Sequence, residues 1–148
     1  MFCVKDRILH VVYDAKNSLP NDIEKIASFY EGHVSGRVGF NFPMKTVVEY
    51  KSRSKNDTCV SPYTEKADYV IVYKKGDIIT KKHELQHAKF FMDSSYREEV
   101  ALLWKRFSSR FQERATNMLK KMNYPDHVLL DEFQAYYFTE SPNFFGKD

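Results

Sequence analysis

ADYVIVYKKGDIITKKHELQHAKFFM, residues 67–92, decides the fold. Its first nine residues are rich in β-branched and aromatic side chains, which suit a pleated strand. The KKGD segment at 74–77 reads as a turn through Gly76, and DIIT leads on into a helix over about Thr80–Met92. Strand, turn and helix thus follow one another without a gap. On that helix His83 and His87 stand four positions apart, so both imidazoles lie on one face. Glu84 is rotated about 100° from His83 and lies beside that pair rather than within it. Two histidine nitrogens at about 2.0–2.1 Å suit zinc. A neighbouring glutamate suits a general base towards water that the metal activates. The competing reading is a pair of surface histidines on an amphipathic helix.

Upstream, RILHVVYD (7–14), TVVEYKSR (46–53) and ADYVIVYKK (67–75) read as strands. One helix is expected in KNSLPNDIEKIASFYEGH, where Pro20 with Asn21 or Asp22 marks the start and Ile23, Ile26, Ala27 and Tyr30 form one face. Downstream the pattern is helical. Tyr96, Val100, Leu103, Phe107, Phe111, Ala115, Met118 and Met122 recur at steps of three or four and predict one long amphipathic helix. Pro125 breaks it, and a last helix covers VLLDEFQAYYF. Strands first and helices after them predict an α+β domain spanning 1–148, with a small mixed sheet in the N-terminal half packed by helices.

The 148 residues suffice to bury a core without disulfides, and 43% hydrophobic residues fit a folded globule. Cys3 and Cys59 are too few for a disulfide framework and read as free thiols of a reducing compartment. Lys5, Asp6, Arg7 and His10 interrupt the first apolar residues, which argues against a signal-peptide core. No apolar run reaches the roughly 18 residues that span a bilayer. A soluble intracellular protein without a membrane partner is expected. The net charge of +3 is spread over a mixed surface and does not argue for nucleic acid. Lys74, Lys75, Lys81 and Lys82 near the motif could contact phosphates or acidic peptides, but no stacking motif accompanies them.

A zinc site needs a third ligand. Asp93 lies six residues after His87, but the sharp turn that would bring it back requires a glycine where Phe90 stands. Glu98 and Glu99 are explained as acidic residues at a helix start. Glu132 lies among Val128, Leu129, Phe133, Ala135 and Tyr136, where a carboxylate is costly to bury without a partner. A metal is one such partner; the competing readings are a carboxylate at a helix N-terminus or one paired with a surface Lys or Arg. The small Ala135 on the same face would let the two helices approach closely.

Together HELQH and DEFQAY resemble the gluzincin zinc metallopeptidases, especially the minimal members called minigluzincins, over roughly residues 67–140. The resemblance implies one Zn2+ per chain held by His83, His87 and Glu132, with Glu84 as catalytic base in peptide hydrolysis. It also implies that an edge strand, matched to Tyr69, Val70, Ile71, Val72 and Tyr73, binds the extended peptide or protein substrate by strand addition. Tyr136 stands where larger gluzincins carry an aspartate that orients a zinc histidine, so Asp131 or a backbone carbonyl must serve. Tyr136, Tyr137 and His127 are the candidates for stabilising the transition state. The alternative is a non-catalytic zinc-binding interaction protein on a peptidase-like fold. Oligomeric state is not legible.

Overall fold

The computed structural model describes residues 1–33 and 36–148. A four-stranded mixed sheet in the N-terminal half is packed by helices, which is the expected α+β arrangement. The strands are β1 (Phe2–Lys5), β2 (Ile8–Tyr13), β3 (Phe40–Pro43) and β4 (Tyr69–Lys74), in spatial order β1-β2-β4-β3. β1 and β2 form a hairpin whose two turn residues, Asp6 and Arg7, both have positive φ (53° and 61°), as this tight connection requires. β2 runs parallel to β4, and β3 runs antiparallel to it.

This order corrects one expectation. β4, with Tyr69, Val70, Ile71, Val72 and Tyr73, is an interior strand and cannot take up a substrate strand along its edge. All five residues are buried. A continuous apolar run is the pattern of a strand covered on both faces. The edge beside the helical half is β3.

Helices α1 (Asn21–Glu31) and α2 (Met44–Ser54) cover one face of the sheet, meeting Leu9, Val11, Phe40, Phe42, Val70 and Val72. α3 (Ile78–Met92) covers the other, against Tyr69, Ile71 and Tyr73. TVVEYKSR, expected as a strand, lies in α2. Met44 and Val47, three apart, are buried while Val48 is 53% exposed. Burial at helical spacing overrides the β preference of Thr46, Val47 and Val48.

The expected single helix across 96–122 is two: α4 (Ser94–Arg106) and α5 (Ser109–Lys121). Phe107 is extended (φ −74°, ψ 150°), and the Ser108 side chain accepts from the Phe111 amide at 3.2 Å, capping a new helix. α6 (Leu129–Thr139) follows and buries five consecutive residues, Asp131 to Ala135. Its Phe133 packs in a second core with Phe111, Ala115, Leu119 and Phe145, while α3 lies on its other side. No helix among the described residues is long and apolar enough to cross a membrane.

Candidate metal centre

The β4–α3 junction sets the motif. Gly76 takes φ 86° in the turn, and Asp77 caps α3 by accepting from the Thr80 amide at 3.0 Å and the Thr80 hydroxyl at 2.6 Å. The helix therefore begins at Ile78, two residues before the expected start. Its buried residues are Glu84, His87 and Ala88. A helix that buries a carboxylate and an imidazole needs a reason beyond packing.

That reason is α6. His83 Nε2 and His87 Nε2 lie 3.3 Å apart. Glu132 Oε2 stands 3.3 Å from His87 Nε2 and 3.9 Å from His83 Nε2. The outer nitrogens fix what these atoms present. His87 Nδ1 lies 2.8 Å from Asp131 Oδ1, and a carboxylate only accepts, so Nδ1 carries the proton. His83 Nδ1 lies 3.1 Å from the Thr139 hydroxyl. That hydroxyl spends its own hydrogen on the Ala135 carbonyl at 2.5 Å, so it too accepts from the ring. In the neutral form of each ring, Nε2 therefore turns a lone pair towards the other ring and towards Glu132 Oε2. With both rings neutral, three acceptors face one another, and Glu132 Oε2 has no hydrogen-bond partner.

Such a cluster is repulsive unless a proton on His87 or a metal ion sits between its members, and these three residues could hold a metal ion. For ligands at about 2.05 Å in tetrahedral geometry, the ligand–ligand edge is about 3.4 Å. Two of the three separations match that edge and the third is half an ångström wider. Glu132 is 1% exposed, which excludes the surface ion pair as its explanation, while its place in the first turn of α6 agrees with the helix-N-terminus reading as well.

Within the protein alone, burial and then the charge of His87 hold the His83 pKa down at about 3, which keeps its ring neutral. Burial also opposes the imidazolium of His87, but Asp131 and Glu132 outweigh it and raise its pKa well above the ordinary value. A bound cation would take the place of that proton. Glu84, 4% exposed, is raised to about 7 by burial and by Glu132, against His87, Arg37 and Asn41.

Asp131 thus holds the tautomer of His87. Gln134 fixes Asp131 in turn, donating to its Oδ1 at 3.1 Å and to the Gln86 carbonyl of α3, also at 3.1 Å. Tyr96 of α4 lies 2.7 Å from Gln134 Oε1 and completes the tie among three helices. Asp93 is exposed; it ends α3 and caps α4, accepting from the Tyr96 amide at 3.1 Å. Glu98 and Glu99 are exposed on α4.

The cluster opens into a cleft of about 410 Å³ between α3, α6, the Met122–Tyr124 turn and the segment leading into β3. Tyr136 lines it, with its ring 4.6 Å from that of His83 and its hydroxyl 3.0 Å from that of Tyr124. The other two transition-state candidates lie elsewhere. Tyr137 is turned about 100° from Tyr136 and stacks on Phe133 at 5.3 Å in the apolar core. His127 precedes α6 and bonds the Tyr30 carbonyl at 3.1 Å, beside a different cavity.

Several lining groups have no counterpart in the sequence reading: Arg37, Gly39 and Asn41 before and on β3, and Tyr124. No local signal marks the first three, because the chain brings them to the metal cluster from far upstream, and Tyr124 reaches it from the turn before α6. Gln134 and Thr139 were nearer to hand, at three and seven residues from Asp131 and Glu132, spacings that return to one helix face. Compared with known proteins, the chain matches no family model, and no curated protein or solved structure matches it significantly.

Proposed function

We propose that the protein is a zinc-dependent peptidase of gluzincin type, with His83, His87 and Glu132 as ligands and Glu84 as base. The observation that carries this reading is the convergence of two imidazole nitrogens and an unpartnered carboxylate oxygen, with a second buried carboxylate, Glu84, beside them. Two nitrogens and one oxygen in a tetrahedral spread favour zinc over calcium or magnesium, which take oxygen shells.

Bound zinc supplies Lewis acidity, lowering the pKa of water and polarising a carbonyl. Glu84 then accepts the proton of the attacking water and returns it to the departing amine; a pKa of about 7 suits both steps. Tyr136, joined by Tyr124, offers a phenol at the cleft for the developing oxyanion. Substrate lies along the segment Gly36–Gly39, which lines the cleft ahead of β3, rather than along β4.

The test has two stages. Metal analysis should give about one zinc per chain, lost in Glu132→Ala. Digestion of a peptide library by the zinc-loaded protein should then give products that Glu84→Gln does not. Full zinc occupancy with no cleavage by either protein would leave a non-catalytic zinc-binding protein in place of the peptidase.

A further inference from the structure

The cleft holds a buried cation that neither the metal cluster nor the base requires. Arg37 lines it with a side chain only 10% exposed. Its Nη2 lies 2.5 Å from Glu31 Oε1, whose side chain is 1% exposed at the end of α1. Glu31 Oε1 has no hydrogen bond, so the contact is an ion pair out of line with the guanidinium hydrogens. Arg37 Nε donates to the Gly39 carbonyl at 3.3 Å, and the guanidinium carbon stands 4.9 Å over the Phe40 ring. Among the described residues nothing accepts from Nη1. The planar fork is thus held at Nε and Nη2 and over its face, and Arg37 lines the cleft with Nη1 lacking an acceptor among the described residues.

Burying such a pair is poor value as stability, because desolvation offsets the attraction. Its position is more informative. Gly39 packs so closely on α3 that a Cβ there would lie 2.7 Å from Glu84 Oε1. Arg37 is two residues along the chain from that point. Its side chain folds back there, with Nε on the Gly39 carbonyl, so the guanidinium lies against the part of the wall that meets the base.

The wall offers a peptide little main-chain pairing. The Val38 carbonyl already accepts from the Tyr13 hydroxyl at 2.6 Å, the Gly39 carbonyl is taken by Arg37, and Asn41 and Phe42 of β3 are buried. Recognition therefore falls on side chains, and a pre-oriented arginine fork matches a carboxylate.

We propose that Arg37 is the substrate-anchoring residue of the cleft and binds a peptide carboxylate, terminal or side-chain, near the bond at the metal centre. The peptide nature of the ligand rests on the function proposed above; the carboxylate preference rests on Arg37 alone.

Retention separates the two. Zinc-loaded Glu84→Gln protein is immobilised and offered N-acetylated hexapeptide pools as free acids, as amides, and as amides with aspartate fixed at each position. Bound peptides are counted by mass spectrometry. At least about tenfold enrichment of one carboxylate-bearing pool over the plain amides is expected, an order of magnitude in affinity. Free-acid enrichment identifies a terminal carboxylate, and enrichment at one aspartate position a side chain. The enrichment should vanish when Arg37→Gln and Glu31→Gln are combined, a pair that leaves no buried charge alone. Arg37→Lys should keep part of it, and Lys121→Gln, at the exposed opposite lip, should keep all of it.

Zinc content and melting temperature of each variant separate anchoring from folding. If acids and amides are retained alike, or if enrichment survives the double variant at full zinc occupancy, the assignment to Arg37 is overturned. Carboxylate enrichment in a protein that cleaves nothing would sustain this inference while the peptidase reading fell.

Discussion

Asp131 is the residue whose replacement tests the metal centre most sharply without touching a ligand. Its Oδ1 accepts from His87 Nδ1 at 2.8 Å and from Gln134 Nε2 at 3.1 Å, in a region where His87 is 1% exposed. Asp131→Asn keeps the shape. Its carboxamide oxygen can take the place of Oδ1 and accept both hydrogens, with the amino group in the place of Oδ2. Only the negative charge behind the imidazole is lost, so the lower end of the usual effect applies: about tenfold weaker zinc binding, or about 1.4 kcal/mol. Asp131→Ala removes the acceptor as well. Two buried donors are stranded and the His87 tautomer is no longer held, so the loss should approach about 100-fold, near 2.7 kcal/mol.

The assay is competition for zinc against a chromophoric chelator at fixed pH, with circular dichroism to show that each variant is folded. The order wild type, Asn, Ala is the content of the prediction. If both folded variants hold zinc as tightly as the wild type, His87 does not ligate through Nε2. The arrangement of lone pairs described above would then be the wrong account of the cluster.

Two further substitutions probe the surroundings. Gly39→Ala would set a Cβ 2.5 Å from Thr80 Cγ2 and 3.2 Å from the Val72 carbonyl, well inside the usual 3.5–4.0 Å of carbon contacts. Overpacking of this kind costs about 1–3 kcal/mol, so thermal unfolding should fall by about 3–10 °C, with partial recovery when Thr80→Ala is added; an unchanged melting curve would show that the segment is not pressed on α3. Asp93→Ala removes the cap on Tyr96 of α4 and should cost about 1 kcal/mol in denaturant unfolding while zinc content stays at the wild-type value. Loss of zinc in that variant would restore Asp93 as a ligand.

The legible part of this protein lies where one local rule sufficed. His83, Glu84 and His87 sit four residues or fewer apart, so helical geometry alone predicts their shared direction. Glu132 was legible through its apolar neighbours, since a carboxylate in such company needs a partner. Where two rules competed, the reading failed. Thr46, Val47 and Val48 favour a strand by residue type, but the three-residue spacing of Met44 and Val47 is helical, and burial followed the spacing. At Ser108 and Ser109 the apolar spacing continues across a break that only a capping side chain marks.

The sequence by itself determined the shared face of His83 and His87, the place of Glu84 beside it, and the α+β layering, because each is written in periods of two or 3.6 residues along a contiguous stretch. The tertiary structure alone decided which strand is the edge, since a run such as YVIVY is apolar whether one neighbour or two will pair with it. It alone placed Tyr136 at the metal cluster and Tyr137 in the core, a distinction that rests on which side of α6 the α3 helix packs. It alone carried Arg37 and Gly39 to Glu84, across more than forty residues of chain, by closing β3 onto β4. Spacing rules reach about two turns of helix; beyond that, contact is set by the burial of the whole apolar surface, and no short stretch of sequence contains it.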